Sequence, residues 1–167
     1  MRIADQLKAL QVALGPWAFN NGGAAFVVSD PSHLWEMAYA ASSKLRVLIL
    51  YSGEEIRGPF STAAATHRVD RNFVVLVTRG RGFNADRGTS LTDTVGNDPP
   101  LFSLLEEGRE IIRGMVNISV ELPVDYKMIR PHSMGEVIMD AYSIEFSCAT
   151  DLPEIVAVPS DQTAIPQ

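Results

Sequence analysis

The sequence has little of what disulfide-linked or membrane-spanning proteins need. Cys148 is the single cysteine, so an internal disulfide or a thiolate cluster cannot form, and we expect a small buried side chain there. No apolar run approaches the ~20 residues that a membrane helix requires. The first residues include an acid, Asp5, where a signal peptide would have an apolar core. We therefore expect a soluble protein made in a cytoplasm.

Motifs for nucleotide binding and nucleophilic catalysis are also missing. The chain contains neither a Gly-Lys-Ser/Thr phosphate loop nor a Gly-x-Ser-x-Gly nucleophile turn. Residues 80–85, Gly-Arg-Gly-Phe-Asn-Ala, fit a loose dinucleotide fingerprint. That fingerprint needs a helix N-terminus immediately afterwards, and residues 86–89, Asp-Arg-Gly-Thr, are a poor start for one. We predict that no cofactor binds.

Titratable side chains show no spacing typical of a catalytic or metal site. Glu54-Glu55 and Glu106-Glu107 are adjacent pairs, and neighbouring side chains point apart on strands and diverge on helices. The histidines lack the paired spacing of metal ligands; they are His33, His67 and His132. The sequence therefore predicts neither a metal site nor enzyme activity.

The first third of the chain predicts two helices around a strand. Leucine and isoleucine at helical spacing indicate a short amphipathic helix that ends at Gly15-Pro16; these residues are Ile3, Leu7, Leu10 and Leu14. Residues 24–29 follow an Asn-Asn-Gly-Gly turn and favour a strand. Asp30-Pro31 supplies an N-cap and a first-turn proline for a second helix.

The middle of the chain predicts two central strands and a loop. Residues 45–51 and 73–77 are apolar on both alternating faces, so both sides of that part of the sheet should be covered. A long-looped antiparallel pair is the simplest arrangement for them. Residues 80–98 form a polar, glycine-containing loop of a length that is unusual unless it is functional or disordered. Asp98-Pro99 then starts a third helix with an apolar stripe between Leu101 and Ile112.

The last third predicts strands and then an extended tail. Residues 117–122 alternate between polar and apolar, which indicates a strand with one wet face. In a second such strand, apolar residues (Tyr142, Ile144, Phe146, Cys148) alternate with polar ones (Ser143, Glu145, Ser147). The alternation slips near Asp140-Ala141, where we expect a bulge or a bend. The tail contains Pro153, Pro159 and Pro166, which favours an extended arm.

These elements predict an α/β fold of the α+β type, with a mixed, mainly antiparallel sheet and helices packed on it. We expect residues 1–152 to form one domain carrying the long loop at 80–98, and residues 153–167 to form an extended proline-containing arm. The net charge of −6 is uneven. Residues 1–87 hold 10 basic and 7 acidic side chains, whereas residues 88–167 hold 4 and 13. Surfaces of opposite sign could then meet head to tail between copies, although scattered solvated charges would give the same count.

A basic stretch gives the candidate contact residues for a subunit or partner. Its arginines are Arg57, Arg68, Arg71, Arg79, Arg81 and Arg87. Guanidinium groups suit interfacial carboxylates and phosphates equally well, so subunit contacts, a solvated face and nucleic-acid contact all stay open. Glu145, on the polar face of its strand, is a further candidate for such an interface.

The order of elements resembles a known family. An amphipathic helix and a second helix precede a long-looped pair of apolar strands (45–51 and 69–79). A short helix (101–114) and a closing strand, Ala-Tyr-Ser-Ile-Glu-Phe-Ser at 141–147, follow and lead to Asp-Leu-Pro. Over roughly residues 1–155 this is similar to the tail terminator proteins of long-tailed bacteriophages.

The resemblance implies a structural virion protein that is not an enzyme. Such a subunit forms a ring, usually a hexamer, at the head–tail junction, where it caps the tail tube and joins it to the neck. Its partners would be other copies of itself, the tail tube protein and a head–tail connector or neck protein, with DNA only as cargo passing through the ring. Two alternatives stay open: another neck or head-completion adaptor, and a small ligand-binding or enzymatic α/β domain.

Overall fold

The computed structural model describes residues 2–39, 45–56, 66–80, 92, 94, 98–115, 124–132 and 139–153; residues 35, 39, 66–68, 124–132, 139 and 151–153 are described by their backbone alone. The predicted strand at 117–122, most of the 80–98 loop and the arm beyond Pro153 lie outside these ranges. The described elements are α1 (Ile3–Asn20), β1 (Ala24–Val27), a 3-10 helix (Pro31–His33) leading into α2 (Leu34–Tyr39), β2 (Arg46–Ile56), β3 (Thr66–Gly80), α3 (Leu101–Gly114), β4 (Val124–His132) and β5 (Met139–Pro153).

The five strands form one mixed sheet in the order β1-β2-β3-β5-β4. β1 pairs in parallel with β2, and the other three pairs are antiparallel. The helices pack on this sheet, so the predicted α+β class, with a mainly antiparallel sheet in a single domain, is confirmed. The long-looped pair that we expected in the middle of the chain is β2 with β3. The N-cap at Asp30 is also present, since its carboxylate accepts a hydrogen bond from the Ser32 backbone N–H at 2.9 Å.

Alternation along the strands separates two cores. The helix face, which α1 and α3 cover, buries the odd-numbered residues of β2 and β3, among them Val47, Ile49 and Phe73, together with Ile144 and Phe146 of β5. The opposite face, which we call the α2 face, buries a smaller apolar set in which Ala38 of α2 packs with strand residues; that set is Val28, Ala38, Leu48, Leu50, Leu76 and Ala141. Both faces of the central strands are therefore covered, as their continuous apolar runs predict.

Helix α1 is longer than the sequence predicted. Gly15-Pro16 does not end it, because Trp17 and Ala18 continue the apolar stripe of Leu10 and Leu14 and are buried. Pro16 leaves the carbonyl of Val12 without its usual helical donor. Val12 lies on the solvated side of the helix, so water can take the place of that donor. Burial of the indole ring therefore outweighs the local helix-breaking signal.

Strand β5 departs from the prediction in two ways. Its polar face is not wet, because Ser143 and Ser147 are buried and only Glu145 is half-buried. The reason is its place between β3 and β4, which an isolated alternation pattern cannot reveal. No bulge interrupts Asp140-Ala141, since β5 pairs with β3 in constant register from Met139 to Pro153. The irregularity lies instead in β4, between Tyr126 and Met128.

Two further local features set the positions of strands and helices. Helix α3 begins without a side-chain cap, and Pro100 rather than Asp98 occupies the N-cap position, which corrects the predicted start. Gly23, just before β1, lies so close to β2 that an added Cβ would be 2.0 Å from the carbonyl oxygen of Leu45. Only glycine allows this approach, which brings β1 alongside β2.

Candidate subunit interface

Arg71 is held inside the subunit, on the helix face near the start of α1. A register shift between Tyr51 and Gly53 places Glu54 opposite Arg71 on the neighbouring strand. The Arg71 Nε lies 2.8 Å from Glu54 Oε1, and its Nη1 donates to Gln6 Oε1 of α1 at 3.0 Å. Arg71 is only 6% exposed. This guanidinium therefore ties β3 to β2 and α1, and a buried, paired arginine is lost only at high cost.

Arg79 has a comparable position at the other end of β3. It is buried, and its Nη1 donates a hydrogen bond to the Pro99 carbonyl just before α3. Burial lowers the pKa of the guanidinium from its ordinary value, while the carboxylates of Asp98 and Asp140 oppose that shift. Asp140 is the register partner of Arg79 on β5. Arg79 thus fixes the entry of the chain into α3. Both candidate arginines whose side chains are described, Arg71 and Arg79, are buried and make contacts within the subunit.

The structure describes the remaining candidate residues to different extents. Arg57, Arg81 and Arg87 lie outside the described residues, and Arg68 is described by its backbone in β3 alone. Their interface role stays a prediction. Glu145 is half-buried on the α2 face and accepts a hydrogen bond from the Ser143 hydroxyl at 3.3 Å.

The adjacent glutamates behave as their spacing predicts. Glu54 pairs with Arg71 on the helix face, whereas Glu55 Oε1 lies 3.4 Å from the Asn72 amide nitrogen on the other face. On α3, Glu107 accepts a hydrogen bond from Trp17 Nε1 at 3.1 Å, and Glu106 is exposed. Glu54, Glu55 and Glu107 each contact a different side chain. Neither pair forms an acid/base couple.

Exposed apolar side chains mark a surface that the sequence analysis missed. Val12 and Phe19 are 67% and 78% exposed and lie seven residues apart on α1, opposite its buried stripe. Phe102 is exposed on α3, where its ring and the Tyr142 ring form a T-shaped pair with centroids 5.7 Å apart. Phe19 was missed because the helix was expected to end at Gly15. The buried pair Trp17-Ala18, in phase with Leu14, was the signal that could have extended it.

The strand order places the two differently charged halves of the chain on different sides of the sheet. The β1–β2–β3 side, with α1 and α2, comes from the first half of the chain, and β5–β4 with α3 from the second. Among the side chains that the structure describes, the first side holds five basic and six acidic ones, and the second holds two and six. Glu106 and Glu110 lie on the exposed surface of α3. Among these described side chains, one side of the subunit is therefore acidic and the other is close to balanced.

The two edges of the sheet differ as well. β4 carries a register shift at Lys127 and a proline, Pro131, and bulges, lysines and prolines all discourage pairing between chains. β1 reads Ala-Ala-Phe-Val, with no such residue, and is partly exposed. A depression of about 390 Å³ opens at its start, lined by Phe19, Gly22, Gly23, Ala24, Phe26, Leu45 and Arg46. The guanidinium of Arg46 lies 5.1 Å from the Phe26 ring centroid.

The described residues offer little for metal or thiol chemistry. Among them, no group of three or more His, Cys, Asp or Glu side chains is placed to hold a metal ion. Cys148 is buried on the helix face, and burial raises the pKa of its thiol to about 11. Such a thiol stays protonated and unreactive at neutral pH. No helix in the described part of the chain is both long and apolar enough to cross a membrane.

A scan against models of protein families finds no match to this chain, and a search of curated proteins finds none either.

Proposed function

We propose that this protein is a ring-forming tail terminator, a structural virion protein that caps the tail tube of a long-tailed bacteriophage and joins it to the neck. The observation that carries the proposal is the strand order, which places an acidic side (β5, β4 and α3) opposite a balanced side (β1, β2 and β3). A heterologous contact between two different sides of a subunit generates a ring when the rotation closes. A symmetric contact between two acidic sides would bring like charges together, so charge repulsion favours the heterologous contact.

Exposed apolar side chains support the same arrangement. Phe19 and Val12 on the outer face of α1 and Phe102 on α3 are large hydrophobic groups in water, and aromatic residues are enriched in interfaces. The element order also agrees with the resemblance: a first helix, a second helix, a paired β2 and β3, a third helix and the closing strand β5 occur in that sequence. The partners in this proposal are further copies, the tail tube protein and a neck protein, with DNA passing through the ring.

Native mass spectrometry and negative-stain electron microscopy test the proposal. We expect a single closed ring, either of the protein alone or after addition of tail tube protein. Phe19→Ser should weaken the ring at least tenfold in concentration and leave the thermal melt unchanged, because this side chain is 78% exposed. His33→Ser is the matched control, since His33 is exposed beside α2 on the opposite face. A strict monomer at all concentrations, with and without tube protein, would contradict the proposal.

A further inference from the structure

Among the described strands, β1 pairs on one side only, so its outer edge can accept another strand. The N–H groups of Ala24 and Val28 donate to the carbonyls of Leu45 and Ile49 in β2, so the backbone groups of Ala25 and Val27 point away from the sheet. The side-chain amide of Gln11 contacts the Ala25 carbonyl at 3.2 Å. The Ala25 N–H and both groups of Val27 have no partner within the part of the chain that the structure describes. Unpaired groups of this kind are a template for strand addition.

A segment of the same chain has the composition to fill this edge. Residues 155–158, Ile-Val-Ala-Val, form an uninterrupted apolar, mainly β-branched run between Pro153 and Pro159. Such a run favours a strand that is buried on both sides. Glu154 directly precedes it, while Arg46 lines the depression beside β1. The apolar lining of that depression can receive an aliphatic side chain from an added strand, which is how strand addition gains specificity.

The segment cannot reach β1 of its own chain. Register pairing across the sheet places the middle of β1 level with Ser143 of β5. From Ser143 to Pro153, β5 runs ten residues, or about 33 Å, and β1 also lies three strands away, about 14 Å to the side. Residues 154–158 span at most about 17 Å when fully extended. If the run at 155–158 pairs with β1, that β1 must therefore belong to a different copy.

We propose that residues 155–158 add as a strand to the free edge of β1 in a neighbouring subunit, so that an exchanged arm links successive copies. This inference rests on the proposed assembly into rings and names the contact that holds it. The added strand pairs with the Ala25 N–H and with both backbone groups of Val27. Its side chains enter the depression beside Phe19 and Phe26.

Crosslinking in the full-length protein tests the contact directly. Ala24→Cys chains are mixed with Val156→Cys chains under assembling conditions and treated with a short bismaleimide. The native Cys148 serves as the internal control, because its thiol is buried. We expect covalent dimers in the mixture and none from wild-type protein. Absence of dimers would overturn the inference, as would a crosslink formed within one chain of the double variant at high dilution.

Assembly measurements separate this inference from the proposed function. Val156→Lys should raise the concentration needed for assembly at least tenfold, because a charge enters an apolar strand contact. Thr163→Lys, in the same tail but outside the apolar run, is the control and should assemble like wild type. If wild type and Val156→Lys form equal rings, the exchanged arm is wrong and the ring stands. If wild type never assembles, both proposals fail.

Discussion

The two faces of the sheet are built from the same strands and yet have different contents. The helix face packs α1 and α3 over a large apolar core in which Phe73 and Phe146 stack at 5.6 Å. The α2 face has a six-residue helix and a smaller apolar cluster, and it buries polar side chains, Asp70, Ser143 and Ser147 among them. The helix face therefore supplies most of the hydrophobic stabilisation, whereas the α2 face also buries polar groups, among them the Ser143 hydroxyl that donates a hydrogen bond to Glu145.

The largest expected effect comes from truncating the centre of the helix face. Phe146→Ala removes a fully buried ring that stacks on Phe73, and it should cost about 3–5 kcal/mol of unfolding free energy. That loss is a large part of a typical domain's stability, so the yield of folded protein should fall as well. Urea unfolding measures the change. A loss below about 1 kcal/mol would show that the helix face is not the main core.

A matched pair on β2 compares the two faces at neighbouring positions. Ile49 and Leu48 are both fully buried, the first on the helix face and the second on the α2 face. We expect Ile49→Ala to cost about 4 kcal/mol and Leu48→Ala about 2 kcal/mol, because the apolar cluster described around Leu48 is the smaller one and a less densely packed site collapses more readily around a cavity. Denaturant unfolding of both variants side by side gives the difference. Equal losses would mean that the α2 face is packed as tightly as the helix face.

Cys148 gives the helix face a pH dependence. Its pKa is raised by burial to about 11, above the 9.0 of a free thiol, so between these values the unfolded chain loses the proton first. The contribution of the Cys148 thiol to the unfolding free energy is therefore fully present below pH 9. It is lost as the pH rises through about 11, and the loss is at most roughly 2–3 kcal/mol. Unfolding free energies of wild type and Cys148→Ala from pH 8 to 11 test this. Parallel curves would contradict it.

The smallest expected effect on folding is at Glu145, on the α2 face. Glu145→Lys should change the melting temperature little, because the side chain is only half-buried and its hydrogen bond from the Ser143 hydroxyl is long, at 3.3 Å. Ring assembly should weaken only if this face meets another subunit, since charge reversal there is costly. Thermal melts beside an assembly assay separate the two outcomes. If Glu145→Lys unfolds the chain while Phe146→Ala is benign, the faces of β5 are assigned the wrong way round.

Sequence alone predicts the helix face well and the α2 face poorly. The apolar stripe of α3 and the period-2 alternation of β5 identify Leu104 and Phe146 as core, because hydrophobic periodicity is a local signal. The burial of Ser143 depends on β4 lying beside β5, and that pairing cannot be inferred from the alternation of β5. β4 itself was not predicted, since Lys127, Arg130 and Pro131 interrupt any strand pattern.

The candidate site shows the same limit. Six arginines in one stretch suggest a surface, but the two whose side chains are described, Arg71 and Arg79, are buried and paired through contacts that the sheet register creates. The exposed phenyl ring of Phe19 depends on α1 continuing past Pro16, where a tertiary contact overrides a local signal. Long-range placement, rather than residue type, decides both cases.

The strand order also decides which strand edge stays unpaired while the chain is being synthesised. β3, at the centre of the sheet, pairs on one side with β2, which precedes it, and on the other with β5, which begins only at Met139. At about 5–20 residues per second, the ribosome needs on the order of 4–15 seconds to extend the chain from Gly80 to Pro153. During that interval one edge of a fifteen-residue strand rich in valine has no partner. β3, the central strand of the finished sheet, is thus the strand whose unpaired edge most readily pairs with another unfinished chain.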